Sequence, residues 1–324
     1  MRENLKAQSQ TILKPRKTVC NTSKPYRDYA DYLAERFQTK MQKLTVNAGF
    51  TCPNRDGTVG TGGCTYCNNQ SFSPSLGDAT LSVTEQLNRG KEFFARKYPT
   101  MRYIAYFQSY TNTHGSITHL LNLYNEALAV EDIDGLIIGT RPDCINKELL
   151  KCLAEINQHK RVIIEYGAES ANDATLKLIN RCHSWQCTVD AVAMTREFGL
   201  DVGLHFILGL PGETAEMMMH TVDQINVVKP DTVKFHQLQI IRGTRLAEQI
   251  SRNEVTVKLF TIDEYLDLCA EIVRRIDPSI AIERFTSSSP DTLLISPRWG
   301  LKNYEFTNLL RNKLTLHKWN RFHY

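Results

Sequence analysis

At 324 residues, 42% hydrophobic and 23% charged, the chain has an ordinary globular composition and enough length for a large core, as two domains or as one barrel with extensions. A net charge of +4 and a pI near 8.5 fall short of a chain that grips nucleic acid by charge alone, and no run reaches the ~18 apolar residues of a membrane span, so neither a DNA partner nor a membrane is expected. The opening "MRENLKAQSQTILKPRK" lacks the apolar stretch of a secretory signal, and the nine cysteines are odd in number and clustered, which points to a cytoplasmic protein with metal or redox thiols.

Residues 1–30 read as a basic N-terminal extension, in which seven cations from Arg2 to Arg27 face only Glu3 and Asp28. From Lys43 onward, strands alternate with helical stretches. The predicted strands are "KLTV" (43–46), "RYIAYF" (102–107), "GLIIGT" (135–140), "RVIIEY" (161–166), "DVGLHFIL" (201–208) and "DTVKFHQL" (231–238). Several are almost continuously apolar, as expected of parallel strands covered on both faces. Ser82 and Glu85 form a capping box at the first helix, and Gly199 stands where "REFG" ends another. Such units predict an α/β protein with a parallel sheet. No phosphate-cradling glycine fingerprint follows the first strand, which favours a partial (β/α)6 TIM-like barrel over 31–245, with its site at the C-terminal strand ends. A C-terminal extension (246–324) packing on the barrel should hold a helix near 261–276, a strand near 279–285 and a basic, aromatic tail. That tail is read either as a docked helix with Leu309, Leu310 and Leu314 inward or as a grip on single-stranded nucleic acid.

The loop after the first strand is "TCPNRDGTVGTGGCTYCNNQ". Eleven residues separate Cys52 from Cys64, and two separate Cys64 from Cys67. The spacer holds four glycines and one proline, so it can fold back and bring Cys52 beside the pair. Three readings follow: a zinc knuckle whose fourth ligand is distant, a redox C-x-x-C, or three thiolates on a [4Fe–4S] cluster that leave one iron open. "CHSWQC", with Cys182, His183 and Cys187, reads as an ordinary helix flank and not as a second metal site.

With this loop in view, the chain resembles the radical S-adenosylmethionine (SAM) superfamily, and within it the YhcC-type group, relatives of the elongator catalytic subunit and of oxygen-independent coproporphyrinogen III oxidase. The resemblance runs over about residues 25–300 through "NAGFTCPNRDGTVGTGGCTYCNN", "YFQSYTNTH", "IIGTRPDCI", "IEYGAESANDATLKLINRCH", "HFILGLPGET", "KFHQLQIIRGTRL" and "LISPRWGLKN". It departs from most of the superfamily in the eleven-residue spacer, a habit of this subgroup.

The resemblance implies a [4Fe–4S] cluster on Cys52, Cys64 and Cys67, and S-adenosyl-L-methionine as the second cofactor. The cluster would cleave SAM reductively, and the 5′-deoxyadenosyl radical would take hydrogen from an unidentified substrate, an RNA or a small molecule. It places Tyr66 near the adenine and Gln108 and Ser109 where relatives receive the SAM amino group. Glu169 falls on the SAM ribose or ammonium, Arg181 on the carboxylate, and His205 on the ribose; Gly209 allows close backbone approach to the adenine. Arg141 is expected toward substrate or SAM, or paired with Asp143, and His236 toward substrate. Glu165 is either a polar group inside the barrel or a paired structural charge. Expected partners are a flavodoxin- or ferredoxin-like one-electron reductant and tRNA or another RNA. The alternatives are a zinc-dependent RNA-binding protein and a non-catalytic iron–sulfur sensor.

Overall fold

A computed structural model describes residues 24–71, 78–98 and 100–319; most of the basic N-terminal extension and the end of the tail, residues 320–324, lie outside them. In chain order the elements are α1 (Tyr29–Phe37), β1 (Met41–Val46), α2 (Val83–Ala95), β2 (Arg102–Phe107), α3 (Ile117–Ala129), β3 (Ile133–Thr140), α4 (Lys147–Asn157), β4 (Arg161–Glu169), α5 (Asp173–Leu178), α6 (Trp185–Glu197), β5 (Asp201–Leu208), α7 (Ala215–Val228), β6 (Thr232–Gln237), β7 (Ile240–Ile241), α8 (Arg245–Ser251), α9 (Ile262–Arg275), β8 (Ala281–Ile282), β9 (Leu294–Ser296) and α10 (Asn303–Trp319). Seven strands form one parallel sheet in the order β1-β2-β3-β4-β5-β6-β8. The sheet curls into a half-barrel, since Lys43 on β1 reaches Glu283, just past β8, at 2.7 Å. The fold is therefore α/β with a partial TIM-like barrel.

The six expected strands form where the apolar runs lie. The seventh is shorter than expected: only Ala281 and Ile282 are strand, although two ladder bonds continue it, Glu283 N–H to the Val233 carbonyl at 2.8 Å and Phe235 N–H to the Arg284 carbonyl at 2.9 Å. The capping box at Ser82 is present, with Glu85 N–H donating to Ser82 Oγ and Ser82 N–H to Glu85 Oε2 at 2.9 Å. Gly199 follows α6 in the left-handed region, with φ +71°.

Alternation along the strands sorts the two faces. Phe107, Tyr166, Phe206 and Phe235 point outward into the apolar layer under the helices, all essentially buried. Lys43, Tyr106, Glu165, His205 and Lys234 point inward. There Lys43 pairs with Glu165 at 3.0 Å, and Lys234 with Glu165 at 3.1 Å and Glu283 at 3.1 Å. Burial alone would raise the Glu165 carboxyl, but Lys234 and Lys43 outweigh it and hold the group well below the usual carboxylate range. Gly203 beside it must lack a side chain, because a Cβ would lie 2.7 Å from Thr232 Oγ1 and 3.1 Å from Glu165 Cγ.

Helix α1, which the strand-to-helix alternation from Lys43 onward passes over, closes the N-terminal end of the barrel. Tyr32 and Leu33 pack on Met41, Ile104, Ile137, Ile163 and Ala281. Tyr32 Oη donates to Asp201 at 3.1 Å, and Arg36 Nε donates to the same carboxylate at 2.6 Å. At the other end of the chain α10 docks against α9, with Phe306, Leu310 and Leu314 buried and the Phe306 and Tyr265 rings 5.4 Å apart. Leu309, expected inward, is 41% exposed: at about 100° per residue it flanks the stripe of Phe306, Leu310 and Leu314 on the solvent side. Strands β7 and β9 add a small antiparallel ribbon that the sequence pattern does not announce. Among the described residues no helix is long and apolar enough to cross a membrane.

Removing Glu165 leaves two buried lysines to share one carboxylate. Glu165→Ala is expected to destabilise the fold by about 3–5 kcal/mol, the scale of a broken buried pair. Urea unfolding at pH 7 checks this, and a loss below about 1 kcal/mol, the scale of an exposed pair, would show that the interior ions are solvated.

Candidate active site

The C-terminal strand ends surround an open cavity. Cys52, Cys64 and Cys67 all line it. The loop reaches this shape through Asn54, which is fully buried. Its Nδ2 donates to the Asn180 carbonyl at 2.6 Å and lies 3.6 Å from Cys64 Sγ, while its carbonyl accepts from Gly63 N–H at 2.8 Å. Gly60 is required there, since a Cβ would sit 2.4 Å from Asn54 Oδ1. Asn180 Nδ2 returns a bond to the Gly63 carbonyl at 2.8 Å, and Arg55 Nη2 caps the Cys67 carbonyl at 2.8 Å. Asp56 instead faces His114 at 3.0 Å. Asn54, Arg55 and Asp56 therefore build the loop and do not line the cavity.

The donor set fits an iron–sulfur cluster. Three soft thiols share one wall, and among the described residues no three His, Cys, Asp or Glu side chains converge to hold a single metal ion. Burial, and then Cys64 nearby, push the Cys67 thiol up to about 11, so the three sulfurs need positive charge to stay ionised together. Arg181 supplies some. It is 6% exposed, and its Nη1 lies 3.5 Å from Cys64 Sγ.

Arg181 is also the node that joins the loop to β4. Nη2 donates to the Gly167 carbonyl at 2.5 Å and meets Glu169 Oε1 at 3.4 Å, and Nε donates to His183 Nε2 at 2.9 Å. Accepting there, His183 carries its proton on Nδ1, facing the Ser184 carbonyl at 3.1 Å; burial, then Arg181, push its pKa down to about 3. Glu169 is aimed by a bulge: pairing with β5 steps from Gly167–His205 to Glu169–Phe206, and Glu169 takes φ +69°. A Cβ on Gly167 would lie 2.7 Å from both Arg181 Nη2 and Glu169 Oε1. Arg141 lines the same wall. Its Nε and Nη2 grip Asp143 at 2.8 Å each, its Nη2 also reaches the Arg181 carbonyl at 2.9 Å, and its buried Nη1 has no partner. The Arg141–Asp143 brace is thus present, with one donor left over.

Tyr66 and Gln108 line the cavity; Ser109 is buried and does not. His205 lines it too, with Nε2 at 2.8 Å from Glu165. An ionised carboxylate only accepts, so the proton sits on Nε2 and Nδ1 is an acceptor. Burial, and then Lys234, push this histidine's pKa down. His236 lines the wall beside Arg284, which the sequence reading passed over together with Lys43, Lys234, Glu283 and Tyr110. For Lys43 and Lys234 the available signal was polar residues at alternate positions of their strands; Tyr110, Glu283 and Arg284 follow strand ends and carried none. Gly209, with φ +87°, is not among the lining residues, and a Cβ there would lie 2.8 Å from the Phe260 ring, so its missing side chain makes room for the 258–260 segment. Cys182 is exposed and Cys187 half-buried on the first turn of α6.

Glu213, in "GLPGET", accepts from Ser170 Oγ at 2.5 Å and so ties its loop to the end of β4. Burial pushes its carboxyl up to about 7. The fold therefore prefers the neutral acid, and stability should decline as pH rises from about 4.5 through about 7. Glu213→Gln keeps the acceptor without the charge. Its melting temperature should match wild type at pH 5 and exceed it at pH 8, as thermal unfolding at both pH values would show. Gly167→Ala should drive Arg181 from Glu169 and cost about 1–3 kcal/mol in urea unfolding.

Comparison with known proteins agrees with this geometry. The Radical SAM superfamily model matches residues 51–225, and the Radical_SAM C-terminal domain model matches 230–315. Protein YhcC of Escherichia coli is 35% identical over 268 residues, covering 82% of this chain and 85% of that one. A tRNA uridine(34) acetyltransferase of Methanocaldococcus infernus is 26% identical over 163 residues, 49% of this chain and 30% of its own length. The solved structure of the archaeal Methanocaldococcus infernus Elp3 shares the fold, with a TM-score of 0.65 at 18% identity over 86% of this chain and 63% of that one. With more than half its length matched by the superfamily model, the chain belongs to the radical SAM superfamily, whose cofactors are a [4Fe–4S] cluster and S-adenosylmethionine.

Proposed function

We propose that the protein is a cytoplasmic radical SAM enzyme whose cluster is held by Cys52, Cys64 and Cys67. The observation that carries this is three thiols on one cavity wall beside two arginines. When bound, the cofactors supply one electron and a 5′-deoxyadenosyl radical that removes hydrogen from a substrate. The rest of the site binds and orients. Arg181 and the free Nη1 of Arg141 suit the SAM carboxylate, because a planar fork holds two oxygens. Glu169 suits the ribose hydroxyls or the ammonium as an acceptor, as does His205 Nδ1. Tyr66 and Gln108 complete the wall toward the adenine and the amino group. A flavodoxin- or ferredoxin-like protein would deliver the electron.

For the substrate, RNA is the reading with support. The partial relative acts on tRNA by its name. Arg242 and Arg245, which follow the cavity-lining Ile241 in the chain, are exposed and have no carboxylate partner among the described residues, and Tyr110 on the cavity wall offers a ring that is 39% exposed. Cations with an aromatic face suit a single strand by phosphate contact and stacking.

Anaerobic reconstitution with iron, sulfide, dithionite and SAM should yield 5′-deoxyadenosine, and each single Cys→Ala change at 52, 64 or 67 should abolish it. One tetrahedral zinc per chain without iron–sulfur absorbance would establish the zinc alternative instead. A full cluster with no affinity for SAM would establish the sensor. Nucleosides from a deletion strain should lack one that the parent contains; an unchanged profile would remove the RNA reading.

A further inference from the structure

The charges on the cavity wall can be paired off one by one. Arg141 is matched by Asp143, Arg181 by Glu169, and Glu165 by the two lysines behind it. Arg284 is the exception. It lines the cavity and has no carboxylate partner among the described residues; the one hydrogen bond of its side chain there is a 3.5 Å contact from Nη2 to His236 Nε2, and its Nε is buried without a partner. Accepting on Nε2, His236 carries its proton on Nδ1, a second donor. Burial, and then Arg284 itself, hold the imidazole neutral.

The segment that carries Arg284 is held rigidly. Its carbonyl accepts from Phe235 N–H on β6 at 2.9 Å. Three residues on, Gln237 and Ser287 form a reciprocal pair, with Gln237 Nε2 donating to the Ser287 carbonyl at 3.1 Å and Ser287 N–H donating to Gln237 Oε1 at 2.9 Å. Gln239 Nε2 donates to the same carbonyl at 3.2 Å, and Gln239 Oε1 accepts from Ser289 Oγ at 2.7 Å. Both glutamines are thereby occupied in bracing, and the guanidinium is the group left with free donors. A half-buried cation with unmade hydrogen bonds is costly to keep unless something fills it. A fixed guanidinium fork matches a two-oxygen anion.

We propose that Arg284, assisted by His236, anchors an oxyanion of the substrate, a phosphodiester of RNA or a carboxylate of a small metabolite. This rests on the proposed enzyme reading, and it assigns the end of the cavity formed by β6 and β8 to substrate and the end formed by the cysteines and Arg181 to SAM.

The test uses the full chain, anaerobically loaded with its cluster and titrated in a calorimeter with dimethyl phosphate, acetate and neutral trimethyl phosphate, each with and without saturating SAM. At least one anion should bind, trimethyl phosphate should not, and SAM should leave the affinity unchanged. Dimethyl phosphate over acetate identifies the phosphodiester source, and the reverse the carboxylate. Arg284→Met should weaken the anion at least tenfold, Arg284→Lys at least threefold, and Arg89→Met, an exposed arginine on α2, should bind as wild type does. If Arg284→Met does not fold, Arg284→Lys decides alone. Binding of neither anion, equal binding by the Arg284 variants, or displacement by SAM would overturn the anchor. These readouts need no turnover. Failed anion binding in protein that makes 5′-deoxyadenosine sinks the anchor alone, while absence of 5′-deoxyadenosine sinks the enzyme reading.

Discussion

Two lysines and two glutamates inside the barrel set the geometry on which the remaining features depend. Lys43 belongs to the first strand, Glu165 to the fourth, Lys234 to the sixth, and Glu283 follows the last, so the four charges tie together strands from both edges and the middle of the sheet. Backbone ladders alone would allow a flatter sheet. Here opposite charges across the interior draw β1 and the end of β8 together. Apolar residues of the same size would fill the space at no greater expense, since buried pairs repay little more than their desolvation. What charges add is direction. Glu165 also fixes the tautomer of His205, so one carboxylate both curls the sheet and orients a side chain on the cavity wall.

A second node lies above it. Arg181 touches Cys64, Glu169, the Gly167 carbonyl and His183, while its own carbonyl receives Arg141. Together with the Asn54–Asn180 exchange, it links the loop after β1 to the turn after α5. The cysteine loop has no regular secondary structure, so this side-chain web positions its thiols. The eleven-residue spacer acquires a use in that light: it carries Asn54, which no three-residue spacer could bury beneath the cysteines in this way.

The legible parts of the sequence were those in which one short stretch carries its own signal. Strand runs, the capping box at Ser82 and the three-cysteine loop are local patterns, and the structure places them as read. Glu169 and Arg181 stand in one stretch and meet in space. The illegible parts are pairings between distant residues. Lys43 and Glu283 are 240 positions apart, and nothing in "KLTV" announces its partner. Helix α1 escaped because its apolar face is small, and its packing is explained only by the barrel end it covers. Gly209 shows a further limit: nothing in "GLPGET" announces that its missing side chain makes room for Phe260, some fifty residues on. Leu309 shows the limit of periodicity, since several leucines on one helix do not all face the same neighbour.

Asp28 has a wider consequence. It caps α1, bridges to Ile282, and receives Lys24 at 2.7 Å and Arg311 of α10 at 3.0 Å. One carboxylate thereby gathers the segment before the barrel and the last helix at the end of the sheet opposite the cavity. Losing this one carboxylate would unfasten both segments together, although Asp28 and Arg311 lie 283 positions apart in the chain.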